Sequence, residues 1–152
     1  MEQRTTTDNT ETSLKKDTGP VLAGPVLRHT APDELVLWLA TSQPIDAHIR
    51  LRDSSRYLVD RPIAACEQTC LRIGTRAWLY LLHIRPDNEL PRDTRLHYDL
   101  GLQSGKDRQW IQHWAPHLCP EGQTSPGFVL KSRLDRILHG SCRRPHHPSG
   151  DG

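Results

Sequence analysis

Seven short apolar runs constrain this chain more than any other feature of its sequence. Each run is four to eight residues long, and successive runs begin about ten residues apart. Turn-forming residues separate them, as in Ala31-Pro32-Asp33 and Pro86-Asp87-Asn88. Sustained helical periodicity is missing between residues 20 and 102, so the pattern predicts strands. The runs are Gly24–Arg28, Glu34–Ala40, Ala47–Leu51, Arg56–Val59, Cys70–Gly74, Ala77–Ile84 and Leu96–Leu102.

About seven strands at this spacing are typical of an all-β protein, and we expect a β-sandwich of immunoglobulin or fibronectin-III type. The run Leu96–Leu102 alternates apolar residues with His97, Asp99 and Gly101, as a strand with one face in water does. The tryptophans Trp38 and Trp78 lie in apolar runs and are predicted to be core residues. Single histidines in four runs or their flanks are predicted to lie on solvated faces: His29, His48, His83 and His97.

The texture of the sequence divides the chain into four parts. Residues 1–19 are polar and Thr-rich, which predicts a disordered tail. Residues 20–103 form the predicted sandwich, and residues 104–127 are predicted to be a connector with one turn of helix near Gln109–Trp114. Residues 128–152 resume with an apolar run and a predicted strand, Arg136–His139, which looks like the start of a second, incomplete domain.

Charge and hydropathy exclude several classes of function. The 20 Lys and Arg residues nearly balance the 18 Asp and Glu residues, so the net charge of +2 does not predict nucleic-acid binding. No apolar run approaches the length that crosses a bilayer, and residues 1–20 lack the apolar stretch of a secretory leader. We therefore expect a cytoplasmic protein without a membrane partner. The four cysteines are expected to be reduced there, although their even number leaves disulfides open in an oxidising compartment.

Chemically reactive residues concentrate between His139 and His147. This segment holds three histidines, one cysteine and two arginines, which could bind iron or zinc or a phosphate group. A basic tail without function is the plainer alternative. Arg143 and Arg144 directly follow Cys142, which does not match the loop of a cysteine phosphatase, and Ser141 does not lie in the G-x-S-x-G pattern of a serine hydrolase. Phosphate-binding glycine motifs are missing as well.

Two segments together resemble the PhoD-like alkaline phosphatases and phosphodiesterases. Gly24 to Ala40 (GPVLRHTAPDELVLWLA) is similar to the "GP-x-L-R" and "V-x-L-W-x-A" strands that open the family's N-terminal β-sandwich. Arg136 to His146 (RILHGSCRRPH) is similar to the family's "L-H-G-S-C-R-K-P-H" strand and loop, which opens the metallophosphatase domain. Arg144 stands where lysine is usual, which keeps the positive charge. The resemblance covers the chain from Gly24 onwards, but only the front of the family's architecture.

The resemblance implies a metal-dependent hydrolase of phosphoric esters, with iron and calcium at a dinuclear centre. The family's cysteine ligand corresponds to Cys142 alone, and the other metal ligands would follow the part matched here. Two-metal hydrolysis needs several ligands to hold both ions, so we expect this part of the enzyme to be inactive by itself. The missing leader differs from secreted members of the family. Phosphate esters would be substrates of the full-length enzyme only.

Two other interpretations stay open at the level of the sequence. The chain could be a stand-alone fibronectin-like binding module without catalysis. Alternatively, it could be a metal-handling protein that uses Cys142 together with the histidines of its last segment: His139, His146 and His147. The sequence does not indicate the oligomeric state or the substrate.

Overall fold

The computed structural model describes residues 20–137, and these residues form an all-β fold. Nine strands are joined by short turns, one four-residue helix α1 (Ile111–Trp114) and two 3-10 turns (Ala65–Glu67 and Pro116–Leu118). The strands are β1 (Val21–Ala31), β2 (Glu34–Thr41), β3 (Ala47–Arg52), β4 (Tyr57–Pro62), β5 (Gln68–Ile73), β6 (Ala77–Ile84), β7 (Arg95–Ser104), β8 (Asp107–Gln109) and β9 (Gly127–Val129). None of the described helices is long and apolar enough to span a membrane.

The seven predicted strands are confirmed as β1 to β7, and they divide between two antiparallel sheets. The four-stranded sheet has the order β1-β2-β6-β5. The five-stranded sheet has the order β4-β3-β7-β8, and β9 also pairs with β7. Strands β4 and β5 lie at sheet edges, as short strands next to turn residues commonly do.

Both sheets contribute to one hydrophobic core because their strands alternate with a period of two. In β3, Ala47, Ile49 and Leu51 are buried while the residues between them are partly exposed. Strands β2, β6 and β7 bury their own alternate residues against the same cluster, which is continuous across both sheets. The core is therefore built from the positions that the alternation in the sequence indicates.

Trp38 is not a core residue, which corrects the prediction made from its apolar run. The residues Leu35, Leu37 and Leu39 point into the core, so the strand pleat places Trp38 on the outer face, where it pairs with Val26 and Leu81. Trp78 is partly buried and packs against the core. An apolar run that is hydrophobic on both faces does not reveal which alternate set faces inward.

The segment between β7 and β9 packs against the five-stranded sheet rather than hanging from it. The predicted turn of helix is confirmed as α1, and Ile111 in it is fully buried in the core. The indole Nε1 of Trp114 donates to the carbonyl oxygen of Leu100 (3.3 Å), and the amide of Tyr98 donates to the carbonyl oxygen of Pro126 (3.2 Å). These bonds satisfy the edge of β7 between the places where β8 and β9 pair with it.

The chain leaves the sheet at a fixed point after β9. The amide of Asp93 donates to the carbonyl oxygen of Leu130 (2.8 Å), and the amide of Ser132 donates to the Asp93 carboxylate (3.3 Å). The strand predicted from Arg136 is not formed at residues 136 and 137, where Ile137 is 78% exposed. The predicted tail at residues 1–19 and the rest of that strand lie outside the described residues.

One ion pair ties the two sheets together. Arg61 in β4 donates two hydrogen bonds to the Glu67 carboxylate (2.6 and 2.8 Å), and the backbone amides of Ala64 and Arg85 donate to it as well (3.2 Å each). Arg85 directly follows β6, so Glu67 links an edge of one sheet to a strand end of the other. The hydrogen bonds from Arg61 lower the pKa of Glu67 to about 2 although the side chain is buried.

Candidate functional site

The segment predicted to carry the chemistry lies outside the described residues. This applies to Cys142, the predicted metal ligand, and to the neighbouring histidines of the metal-handling interpretation: His139, His146 and His147. Among residues 20–137, no group of three or more His, Cys, Asp or Glu side chains is placed to hold a metal ion. The described residues therefore do not supply a centre for iron and calcium.

The described part of the molecule does contain a cleft on the outer face of the five-stranded sheet. Its volume is about 170 Å³. The sheet forms its floor with Arg50, Arg52, Tyr57, His97 and Asp99. The segment that follows β8 forms its wall with Trp110, Gln112, Thr124 and Ser125. Most of the floor residues are the outward members of β3 and β7, which are neighbours in the sheet.

Arg50 is held in place at the centre of the cleft by an aromatic ring and a carboxylate. Its guanidinium carbon lies 3.8 Å from the centre of the Trp110 ring, a stacked cation–π contact, and 5.6 Å from the centre of the Tyr57 ring. Its Nε donates to the Asp60 carboxylate (3.2 Å). Burial opposes the charge on Asp60, but hydrogen bonds from His48 and Arg50 hold the pKa of Asp60 below its ordinary value. The stack and the ion pair fix the arginine's direction.

His48 bridges Asp60 and Arg108 behind the cleft. Its Nε2 donates to the Asp60 carboxylate (2.6 Å), and Nη1 of Arg108 donates to its Nδ1 (3.1 Å). An arginine only donates, so Nδ1 accepts and the proton is on Nε2. Gly101 makes room for this arrangement, because a Cβ there would lie 2.6 Å from Cδ of Arg108 and 2.9 Å from the Trp110 ring. The glycine lets both side chains lie directly across β7.

His97 is buried, which corrects the prediction that the strand histidines lie on solvated faces. It is on the outward side of β7, but β9 and Ser125 cover it, and only 9% of it is exposed. Its Nδ1 lies 3.5 Å from the carbonyl oxygen of Ser125. Gly127 permits this cover, since a Cβ there would lie 2.9 Å from the Leu96 carbonyl oxygen and 3.2 Å from His97 Nδ1. His48 is mostly covered too, whereas His83 and His29 are more open.

Asp99 is the acidic residue of the cleft. Burial raises its pKa, while the hydrogen bond from the Ile111 amide (3.0 Å) and the charge of Arg50 act in the opposite direction. The Asp99 carboxylate thus accepts a hydrogen bond from the first residue of α1. Asp99 also lies directly opposite Arg50 in the pairing of β3 with β7. The hydrogen bond to Ile111 links the cleft to the core, because Ile111 is fully buried.

This cleft has groups that can bind a ligand. It offers guanidinium, hydroxyl and amide donors beside one carboxylate, and its described side chains do not form a chain from a nucleophile to a base. No single stretch of the sequence indicates this cleft, because its residues are spread over five segments. The outward positions of β3 and β7 could have indicated them, since Arg50, Arg52 and Asp99 alternate with core residues there.

Comparison with known proteins does not assign the chain. A scan against models of protein families gives no match. A search of curated proteins also gives no match.

Proposed function

We propose that this chain is the N-terminal part of a PhoD-like, metal-dependent phosphoesterase, and that it is inactive without the rest of the catalytic domain. The described residues would form the accessory sandwich of that enzyme. The segment containing Cys142 would open the metallophosphatase domain and give one ligand to its metal centre. The hydrolysis of phosphoric esters would belong to the full-length enzyme.

The presence of both family-like motifs, in the family's order, carries this proposal. The described residues support it at the first motif and at the chain that leads into the second. The first motif spans β1 and β2, which pair with each other, and its Leu27 and Leu37 face each other on the core side. The second motif begins four residues beyond Ser132, where Asp93 fixes the chain against the sheet. A motif that must be presented to a second domain needs such a fixed starting point.

The order of the strands supports the fold that the proposal requires. If the strands are lettered A to G in chain order and β4 is taken as an added C′ strand, the two orders read A-B-E-D and C′-C-F-G, which supports the proposed immunoglobulin-like arrangement. The exposed Leu134 and Ile137 fit the same account, because a strand that joins another domain would bury such residues there. Leu130, by contrast, is already part of the sandwich core.

A hydrolysis assay tests whether the chain is inactive alone and the full-length enzyme is active. The purified chain, supplied with iron and calcium, should hydrolyse bis(p-nitrophenyl) phosphate at the background rate. The protein encoded by the whole reading frame should hydrolyse it well above background. The Cys142→Ser variant of that protein should lose both this activity and the bound iron. Turnover by the 152-residue chain that Cys142→Ser abolishes would contradict the proposed inactivity. Full activity of the long Cys142→Ser protein would contradict the role of the cysteine.

A binding module without catalysis is the second candidate, and the cleft on the five-stranded sheet is the observation that favours it. Trp110 and Asp60 hold the Arg50 side chain in one orientation there. A binding surface needs its hydrogen-bond donors to be held in this way. Under this candidate the sandwich works alone. A chain ending at residue 132 should then unfold cooperatively and keep the ligand affinity of the longer chain.

A further inference from the structure

The outer face of the five-stranded sheet places two arginines side by side with hydrogen-bonding capacity to spare. Arg50 and Arg52 are alternate residues of β3, so both project to the same face, about 7 Å apart along the strand. Arg50 uses its Nε for Asp60, and its two Nη groups have no partner among residues 20–137. The guanidinium group of Arg52 forms no hydrogen bond or ion pair with any residue in that range.

The wall of the cleft adds neutral donors opposite these arginines. Thr124 and Ser125 bring two hydroxyl groups, and Gln112 brings an amide. The single carboxylate of the lining, Asp99, already accepts from the Ile111 amide and faces Arg50. The lining holds two guanidinium groups and one carboxylate. Asp60 already offsets the charge of Arg50, so Arg52 is the guanidinium of the lining whose charge has no ion-pair partner among residues 20–137. A ligand that accepts hydrogen bonds and carries negative charge matches this lining.

We propose that this cleft binds a small oxyanion between Arg50 and Arg52, with the hydroxyl groups of Thr124 and Ser125 on its other side. Guanidinium forks donate paired hydrogen bonds to carboxylate and phosphate oxygens alike, so the shared chemistry is that of an oxyanion. The volume of about 170 Å³ fits such a group with a few further atoms, not a large ligand.

The proposal gives the binding-module function its ligand class and does not depend on the relationship to phosphoesterases. Arg50 would be pre-organised, because the Trp110 stack and Asp60 already restrict its rotamers. Arg52 would be ordered on binding. The two arginines therefore predict different consequences of substitution: loss of Arg50 disturbs the surface itself, whereas loss of Arg52 removes mainly the ligand contact.

A titration with inorganic phosphate at constant ionic strength tests the proposal. The indole N–H resonance of Trp110, assigned from its disappearance in Trp110→Phe, should shift with saturation at millimolar phosphate. Arg52→Gln should weaken binding about tenfold, in line with the loss of a charge-assisted hydrogen bond. Arg28→Gln, an exposed arginine of β1 in the other sheet, is the matched control and should change the affinity less than twofold.

A second pair of variants tests the sign of the charge effect. Asp99→Asn keeps an oxygen that can accept from the Ile111 amide but removes the negative charge, so it should tighten phosphate binding severalfold. Asp33→Asn makes the same change in an exposed turn and should leave the affinity unchanged. A parallel titration with acetate separates a carboxylate site from one that needs a phosphate group.

Three results would overturn the proposal. The first is a shift that stays linear in phosphate concentration. The second is an equal loss of affinity in Arg52→Gln and Arg28→Gln, which would indicate general electrostatic attraction. The third is unchanged affinity in Arg52→Gln while its unfolding stays cooperative. None of them would bear on the phosphoesterase proposal, which depends on the residues that follow the sandwich.

Discussion

The two outer faces of this protein differ although the strands behind them bury similar residues. On the four-stranded sheet, paired residues across β1, β2 and β6 form an apolar row of Val26, Trp38 and Leu81. Leu71 and Ile73 of β5 are 61% and 51% exposed. On the five-stranded sheet, the outward residues of β3 and β7 are charged or polar, and the chain folds its own segment 110–130 over part of them.

This difference shows that inward and outward patterns carry separate information. Inward residues are apolar in both sheets because one core has to be filled. Outward residues do not have to fill the core, so whether they are polar or apolar depends on the groups that pack against the outer face of the sheet. Part of the five-stranded sheet is covered by the Trp110 ring, which stacks on Arg50, and by the Ser125 carbonyl group, which lies beside His97. Both accommodate charged or polar residues on the outer face.

Outside the hydrophobic core, the largest effect should come from the ion pair that joins the two sheets. Glu67→Gln should lower the free energy of unfolding at pH 7 by about 3 kcal/mol, since a pKa held near 2 instead of 4.5 corresponds to roughly that amount. The folded-state pKa is lowered, so this stabilisation is present above pH 4.5 and is lost as the pH falls towards 2. Urea unfolding at pH 7 and pH 3 measures both parts of the prediction.

Asp135→Asn is the matched control for this ion pair. Asp135 pairs with Arg133 at 2.7 Å, but both side chains are largely exposed, so its loss should change stability by less than about 0.5 kcal/mol. Equal losses in Glu67→Gln and Asp135→Asn would mean that burial does not strengthen the Glu67 pair.

The next effect on stability concerns the packing of Arg108 and Trp110 against Gly101 on the outer face of the five-stranded sheet. Gly101→Val should cost about 2 kcal/mol, because its side chain would displace Arg108 and the Trp110 ring. Ala77→Val makes an outward substitution on the four-stranded sheet, where we expect a change within about 0.5 kcal/mol. Thermal unfolding compares the two. If Gly101→Val and Ala77→Val change the stability equally, Arg108 and Trp110 do not pack against Gly101 as described.

A smaller effect of opposite sign is expected at Asp99. Its folded-state pKa is raised, so its charge opposes folding once the pH is above that value, and the penalty disappears when the group is protonated at low pH. Asp99→Asn should therefore raise the midpoint of thermal unfolding at pH 7 but not at pH 3. A lower midpoint at pH 7 would contradict this prediction and would show that the negative charge of Asp99 stabilises the start of α1.

The smallest effect on stability should come from the apolar face. Leu71→Thr and Ile73→Thr should each change the free energy of unfolding by less than about 0.5 kcal/mol, since both side chains are mostly exposed. They should, however, reduce self-association at high protein concentration, which light scattering measures. Leu35→Thr, a fully buried change in β2, provides the contrast and should destabilise strongly.

The strands and the core could be predicted because both follow from alternation within short runs. The boundaries of β6, Ala77–Ile84, agree with the sequence analysis. The prediction failed where a run is apolar on both faces, as at Trp38. It also failed at His97, whose burial depends on Ser125 and β9 arriving from 28 or more residues further along the chain.

The cleft could not be predicted for the same physical reason. Its residues are brought together by the pairing of β3 with β7 and by the path of the chain after β8. Local patterns contain neither. The motif around Cys142, by contrast, is continuous in sequence and was visible there, although it lies outside the described residues.

The DNA beyond the Gly152 codon distinguishes the phosphoesterase proposal from the binding module. The DNA that follows this codon in the source should be sequenced and read in all three frames. We expect one frame to encode Asp, Asn and His motifs able to complete a dinuclear metal centre. If no frame encodes such motifs, the phosphoesterase proposal is contradicted and the sandwich has to be understood as a binding module.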